Sequence, residues 1–157
     1  MIDQSIHVFD WFHIHFTENP GAAWGVAIPG KYGKLILSVF RIVAIMGIGY
    51  WLWDAVKKKA PKVLIISIAL IFAGALGNHS VNNVATFMSD EPYETLFHGR
   101  VVDMLYFPII DTYLPDWVPF YGGKRFTFFD PIFNVADTAI SVAVGLLLIF
   151  NKQAFKK

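Results

Sequence analysis

The stretch 35–53 is predominantly apolar and carries a single charged residue, Arg41. A helix rising about 1.5 Å per residue needs about 20 mostly apolar residues to cross some 30 Å of hydrocarbon. Inside a bilayer every backbone polar group must be satisfied within the segment, so such a stretch is committed to helix. Two further segments fit the same reading: a short one at 63–78, and one at 132–150 that carries Asn134 and Asp137. Composition agrees, with 55% of the residues hydrophobic and 16% charged, against about 25% charged in ordinary soluble domains. The expectation is a membrane all-α bundle with three visible spans. The opening residues do not extend it, because Asp3, His7, Asp10, His13 and His15 interrupt any span and no basic segment precedes an apolar run as in a signal peptide.

Lysine placement orients the bundle, since Lys and Arg near span ends stay cytoplasmic. Lys57, Lys58, Lys59 and Lys62 fill the connection between the first two spans, and Lys152, Lys156 and Lys157 follow the third. Both clusters are cytoplasmic at once if residues 4–34 and 79–130 lie outside. That parity leaves the N-terminus outside and sets the expectation of a further span before residue 3. The outer segments read as a small β element: His13-Ile14-His15-Phe16 alternates, and Val101, Val102, Tyr106 and Phe107 are β-formers. Trp11, Trp24, Tyr113, Trp117 and Tyr121 suit an interfacial belt, and the Pro-, Gly- and aromatic-rich stretch 113–125 reads as a loop lying on the bilayer. One domain over 1–157 is the simplest organisation.

A formal net charge of +1 argues against nucleic acid as a partner, and the absence of cysteine excludes disulfides, Cys-ligated zinc and thiol catalysis. Chemistry must then come from polar groups in apolar surroundings. Asp137 sits in the third span's pattern with Asn134 one turn before it, and Asp103 sits within Val101-Val102-Asp103-Met104-Leu105. An ionisable group at membrane depth marks a functional site unless it is explained otherwise. The alternatives are that Asp137 caps a helix beginning near Ala136 and that Asp103 is exposed on a surface strand. His13 and His15 could begin a zinc site, but no third ligand is evident, so no metal is expected. Arg41 suits a structural pairing or a lipid headgroup. Gly21-Ala22-Ala23 with Gly25 lacks phosphate-loop spacing, whereas small residues there allow close backbone approach. Gly47, Gly49, Gly74 and Gly77 suit tight helix packing. The acidic stretch Ser89-Asp90-Glu91 with Glu94 reads as a solvated loop or a flap.

Four ordered motifs carry a resemblance over nearly the whole chain: Thr17-Glu18-Asn19-Pro20-Gly21-Ala22-Ala23-Trp24-Gly25, Gly74-Ala75-Leu76-Gly77-Asn78, Gly99-Arg100-Val101-Val102-Asp103 and Phe133-Asn134-Val135-Ala136-Asp137. They resemble the lipoprotein signal peptidases, or signal peptidase II, bacterial intramembrane aspartic proteases. The resemblance implies four transmembrane helices with a small extracytoplasmic β element, in the bacterial cytoplasmic (inner) membrane, with the active site near the extracytoplasmic face. It implies cleavage of prolipoproteins just before a cysteine that carries a diacylglyceryl group. The V-V-D and N-x-A-D motifs make Asp103 and Asp137 the catalytic pair. Asp3, Gln4, Asn19, Gly21, Asn78, Arg100 and Asn134 fall at substrate-binding or site-shaping positions. The implied partners are diacylglyceryl-modified prolipoproteins and membrane lipids, with globomycin-type peptide antibiotics as inhibitors. A monomer without cofactor or metal is expected.

Two carboxyls suit peptide hydrolysis, one taking a proton from water and the other giving one to the carbonyl oxygen. Brought close, two carboxylates cannot both ionise cheaply and share one proton. Two places depart from the family pattern. Met1-Ile2-Asp3-Gln4 leads straight into Ser5-Ile6-His7, and Asn78 is followed by His79-Ser80-Val81-Asn82 where the family has an Asp two residues on. Sequence is expected to be missing at both. The competing class is a non-enzymatic membrane scaffold or small transporter whose Asp and Asn bind an ion.

Overall fold

The computed structural model describes residues 5–19, 33–88 and 101–156. The strands are β1 (Ser5–Phe9), β2 (Phe12–Asn19), β3 (Val101–Tyr106), β4 (Ile110–Tyr113), β5 (Arg125–Phe128) and β6 (Ile132–Phe133). The helices are α1 (Gly33–Lys57), α2 (Lys62–Met88), α3 (Val135–Ile149) and the short α4 (Asn151–Ala154). The chain divides into two compact units. One comprises the chain up to Glu18 with Val102–Asn134, and the other comprises Asn19–Val101 with Val135–Lys157.

The helical unit turns a broad apolar stripe outward, which makes sense only in an apolar solvent. On α1, Ile36, Val39, Phe40, Val43 and Met46 all face outward. Among the described residues, Ile36–Lys57 and Lys62–His79 are long and apolar enough to cross a membrane, and Val135–Ile149 is apolar but shorter. Helix α2 runs beyond the apolar stretch read at 63–78, as far as Met88. Between α1 and α2 the chain turns at a Schellman motif: Ala60 N–H donates to the Ala55 carbonyl and Lys59 N–H to that of Val56, with Lys59 at φ 52°. Pro61 then starts α2, its carbonyl accepting from Ile65 N–H. Lys57 lies 4.8 Å from the Trp53 ring and Lys58 bonds Asp54 at 2.8 Å, so cations gather at the carboxyl end of α1, where the helix dipole favours them.

Small residues bring these helices together. A Cβ on Gly49 would lie 3.0 Å from the Phe72 ring, and one on Gly74 would lie 2.6 Å from both the Ala136 carbonyl and Ile140 Cγ1. Close backbone approach of this kind is what holds helices together where lipid competes for every apolar side chain.

The other unit is a four-stranded sheet in the order β1-β2-β3-β6 and a separate hairpin, β4-β5. Antiparallel pairing sets Ser5 opposite His15 and His7 opposite His13, with a register shift between His7 and Phe9. A run of stacked rings, Phe9 on Trp11, Phe12 on Phe107 and Phe107 on Phe133, ties β1, β2 and β6 together. A sheet element is thus present where the alternation of His13–Phe16 predicts strand. The hairpin is an addition to that reading. Ile110 pairs with Phe128 and Tyr113 with Arg125, so the ends of the stretch read as a loop at 113–125 are strand residues.

The start of the third apolar segment differs from the sequence reading in kind. Ile132 and Phe133 pair with Tyr106 and Leu105, and the helix begins only at Val135. Asn134 therefore precedes α3 and does not share a helix face with Asp137. The ladder to β3 holds the backbone extended through Phe133, and apolar periodicity alone cannot distinguish that from helix.

Candidate active site

Asp103 stands on β3, and Asn134 follows β6, the strand that pairs with β3. The pairing brings the two side chains together, and Asn134 Nδ2 donates to Asp103 Oδ1 at 2.9 Å. Both are buried, at 6% and 8% exposure. That removes the reading of Asp103 as an exposed strand residue. A buried carboxyl requires hydrogen-bond partners, because its desolvation is otherwise too costly.

Asp137 lies inside the first turn of α3, beyond the position of a capping residue. Negative charge is favoured there by the helix dipole and by amide groups that lack helical partners. Asn78 Nδ2 on α2 donates to its Oδ1, also at 2.9 Å. The small residues explain why this bond can form. Gly74, one turn before Asn78 on the same face of α2, and Gly77, whose added Cβ would sit 3.3 Å from Ala136 Cβ, both abut the residue that precedes Asp137. Without Cβ atoms at these places α2 approaches the start of α3 closely enough for a short carboxamide to reach the carboxyl.

Each of the two carboxyls thus accepts from an Asn side chain through Oδ1. A carboxamide donates without titrating. It can keep its grip when the proton of the acid is carried on the other oxygen. Of the remaining positions singled out from sequence, Asn19 ends β2, its side chain beyond what is described. Asp3, Gln4, Gly21 and Arg100 lie outside the described residues, as do Trp24 and the acidic stretch 89–94. Arg41 is half-buried on α1. Among the described residues no group of three or more His, Asp or Glu is placed to hold a metal. His13 faces His7 at 4.8 Å between ring centres, and His7 approaches Asp10 at 3.3 Å.

Sequence reading misses two polar links in the sheet unit. Tyr106 donates to Asp130 at 3.2 Å, and burial followed by this bond raises its phenol above the ordinary range. Arg125 grips Asp111 through both Nε and Nη2, at 2.8 and 2.5 Å. The acidic partner of each was present in the sequence, but no local spacing rule joins them.

Apolar helices bearing a carboxyl held by a neighbouring carboxamide mark a membrane protein and make that carboxyl a candidate functional group. Comparison with known proteins agrees and is more specific. The family described as signal peptidase (SPase) II matches residues 1–152. The lipoprotein signal peptidase of Porphyromonas gingivalis is 44% identical over 95% of this chain and 71% of its own length. That of Amoebophilus asiaticus is 34% identical over 94% of this chain and 64% of its own length. A bacterial membrane enzyme solved by the in meso method at 2.3 Å resolution superposes with a TM-score of 0.62 at 25% identity, covering 100% of this chain and 77% of that one. The chain belongs to the signal peptidase II family, and it is an aspartic peptidase of the membrane.

Proposed function

We propose that this chain removes signal peptides from prolipoproteins, cutting before a diacylglyceryl-modified cysteine, and that Asp103 and Asp137 act as one catalytic pair. The observation that carries the reading is that each of the two carboxyls accepts from an Asn side chain at 2.9 Å. In the proposed reaction the ionised aspartate takes a proton from water as the oxygen attacks the scissile carbonyl. The protonated aspartate donates to the carbonyl oxygen as it becomes a hydroxyl. The resulting diol collapses with proton transfer to the departing amine, which frees the lipid-modified cysteine as the new N-terminus. Asn78 and Asn134 position the pair, and Asp3, Gln4, Asn19, Gly21 and Arg100 serve substrate binding or shape the site, as their match to the family's motifs implies.

The same reading puts the protein in the bacterial inner membrane as a monomer of four spans, three of them α1, α2 and α3, with residues 4–34 and 79–130 on the extracytoplasmic side. The aromatic residues beside the Lys57–Lys62 turn support an interfacial position for it, and the lysines favour the cytoplasmic side. Globomycin-type peptides are the expected inhibitors. A cysteine reporter at Lys58 should resist an impermeant reagent added to intact cells while one at Ser89 reacts. Activity is tested by incubating the purified chain in lipid with a diacylglyceryl-modified prolipopeptide. Release of the intact signal peptide is expected, and no cleavage by a folded preparation contradicts the reading.

A further inference from the structure

We propose that the β4–β5 hairpin is a membrane anchor whose tip, carrying Trp117 and Phe120, inserts into the interfacial layer of the bilayer that holds the helices. The hairpin is a firm platform. Its base is closed by the double contact of Arg125 with Asp111. Across its neck Leu114 N–H donates to the Lys124 carbonyl and Gly123 N–H to that of Leu114. At the tip Gly122 N–H donates to the Val118 carbonyl, and a Cβ on Gly122 would meet the Asp116 carbonyl at 2.6 Å.

What this platform displays is apolar and aromatic. Trp117 is 80% exposed and Phe120 is 93% exposed, with Tyr113 and Tyr121 beside them in sequence also open. Phe120 has a φ of 67°, a region unfavourable for any bulky side chain and free of penalty for glycine. The backbone is strained to hold a ring that touches almost nothing in its own chain. A strained, exposed aromatic finds its compensation in a partner outside the chain.

Covalent connection selects the bilayer as that partner. The chain leaves β5 at Phe128 and enters α3 at Val135. That link spans at most about 25 Å fully extended, and α3 packs on α2, one of the membrane-long helices, through Gly74. The base of the hairpin is therefore tethered near lipid at high effective concentration. Trp and Tyr favour the headgroup level, where one edge of the ring is apolar and the other wet. Charge gives a further restriction. Within 114–124 Asp116 balances Lys124, and Lys124 lies over the Tyr121 ring at 5.1 Å. Attraction to anionic headgroups is thus not the driving term, and the anchor should work on neutral lipid and in high salt.

Because the chain has no cysteine, Trp117→Cys and Phe120→Cys each give one unique spin-label site at an exposed position that the fold does not need. The full chain is reconstituted in neutral phosphatidylcholine vesicles, and the collision of each label with oxygen and with an aqueous nickel chelate is measured. Both labels should be severalfold more accessible to oxygen than to the chelate, with no change in high salt. Labels open to the chelate would put the tip in water. Labels shielded from both reagents would put it against protein, including a second copy of this chain. Either outcome overturns the proposal, and neither bears on whether the protein cleaves prolipoproteins.

Discussion

Asn78 donates through Nδ2 to Oδ1 of Asp137 across the α2–α3 contact, a 2.9 Å bond between residues 59 positions apart. A hydrogen bond to a carboxylate is worth about 1.5–3 kcal/mol. Asn78→Ala should therefore leave Asp137 misaligned and lower turnover by roughly 10–100-fold. Asn134→Ala should do the same to Asp103. Both should retain measurable cleavage, because neither Asn shuttles a proton. Cleavage of a lipid-modified peptide in vesicles, with melting measured in parallel, checks this; wild-type rates from both variants would contradict it.

Gly74 supplies the clearance on which that bond depends. A methyl there would collide with the Ala136 backbone as well as with Ile140, and backbone yields less readily than a flexible side chain. Gly74→Ala should cost about 1–3 kcal/mol of stability and lower activity beyond the loss of folded protein. A methyl added at Gly47 or at Gly145 would instead meet nothing within 4 Å. Alanine at either should be neutral or stabilise by about 0.5–1 kcal/mol. Thermal melting of the three variants in one detergent separates packing from helix propensity.

The hairpin should respond to acid. The Arg125 guanidinium beside Asp111 holds its carboxyl below the usual carboxylate range. A carboxyl depressed by folding contributes stability that is complete above its unfolded value of about 4 and is lost as pH falls through the lower folded value. Amides of β4 and β5 should therefore keep their hydrogen-exchange protection down to about pH 5, after correction for intrinsic rates, and lose it below about pH 4. The pair is exposed, so added salt should shrink the effect. Arg125→Gln should remove the acid-linked part of the loss; an unchanged profile in that variant would assign it elsewhere.

The helices were legible in the sequence because a bilayer leaves so few options: the run interrupted by Arg41 and the one after Pro61 could satisfy their backbones only as helix. Asp103 and Asp137 could be singled out as candidates for a related reason, since an acid among apolar neighbours needs a cause. The motifs placed Asn78 and Asn134 at site-shaping positions, but which aspartate each one holds was not legible. Asn134 read as helical because Ile132 and Phe133 are apolar in either conformation, and only the ladder to β3 keeps them extended. Nothing near Asn78 points to Asp137. The hairpin was hidden because Pro115, Pro119, Gly122 and Gly123 mark a loop, while β4 and β5 are each four residues long, too short for alternation to register.

The proposed action of Asp103 and Asp137 as one catalytic pair is tested most directly by Asp103→Asn and Asp137→Asn, assayed side by side with the double variant for cleavage and melting. Asparagine keeps the volume and much of the hydrogen bonding but cannot shuttle a proton. General acid–base catalysis by one group is typically worth about 10²–10⁴-fold, and members of one catalytic unit are not additive. Each single variant should melt near wild type and cleave almost as poorly as the double. A folded single variant of either residue that cleaves at near-normal rate would contradict the catalytic pair.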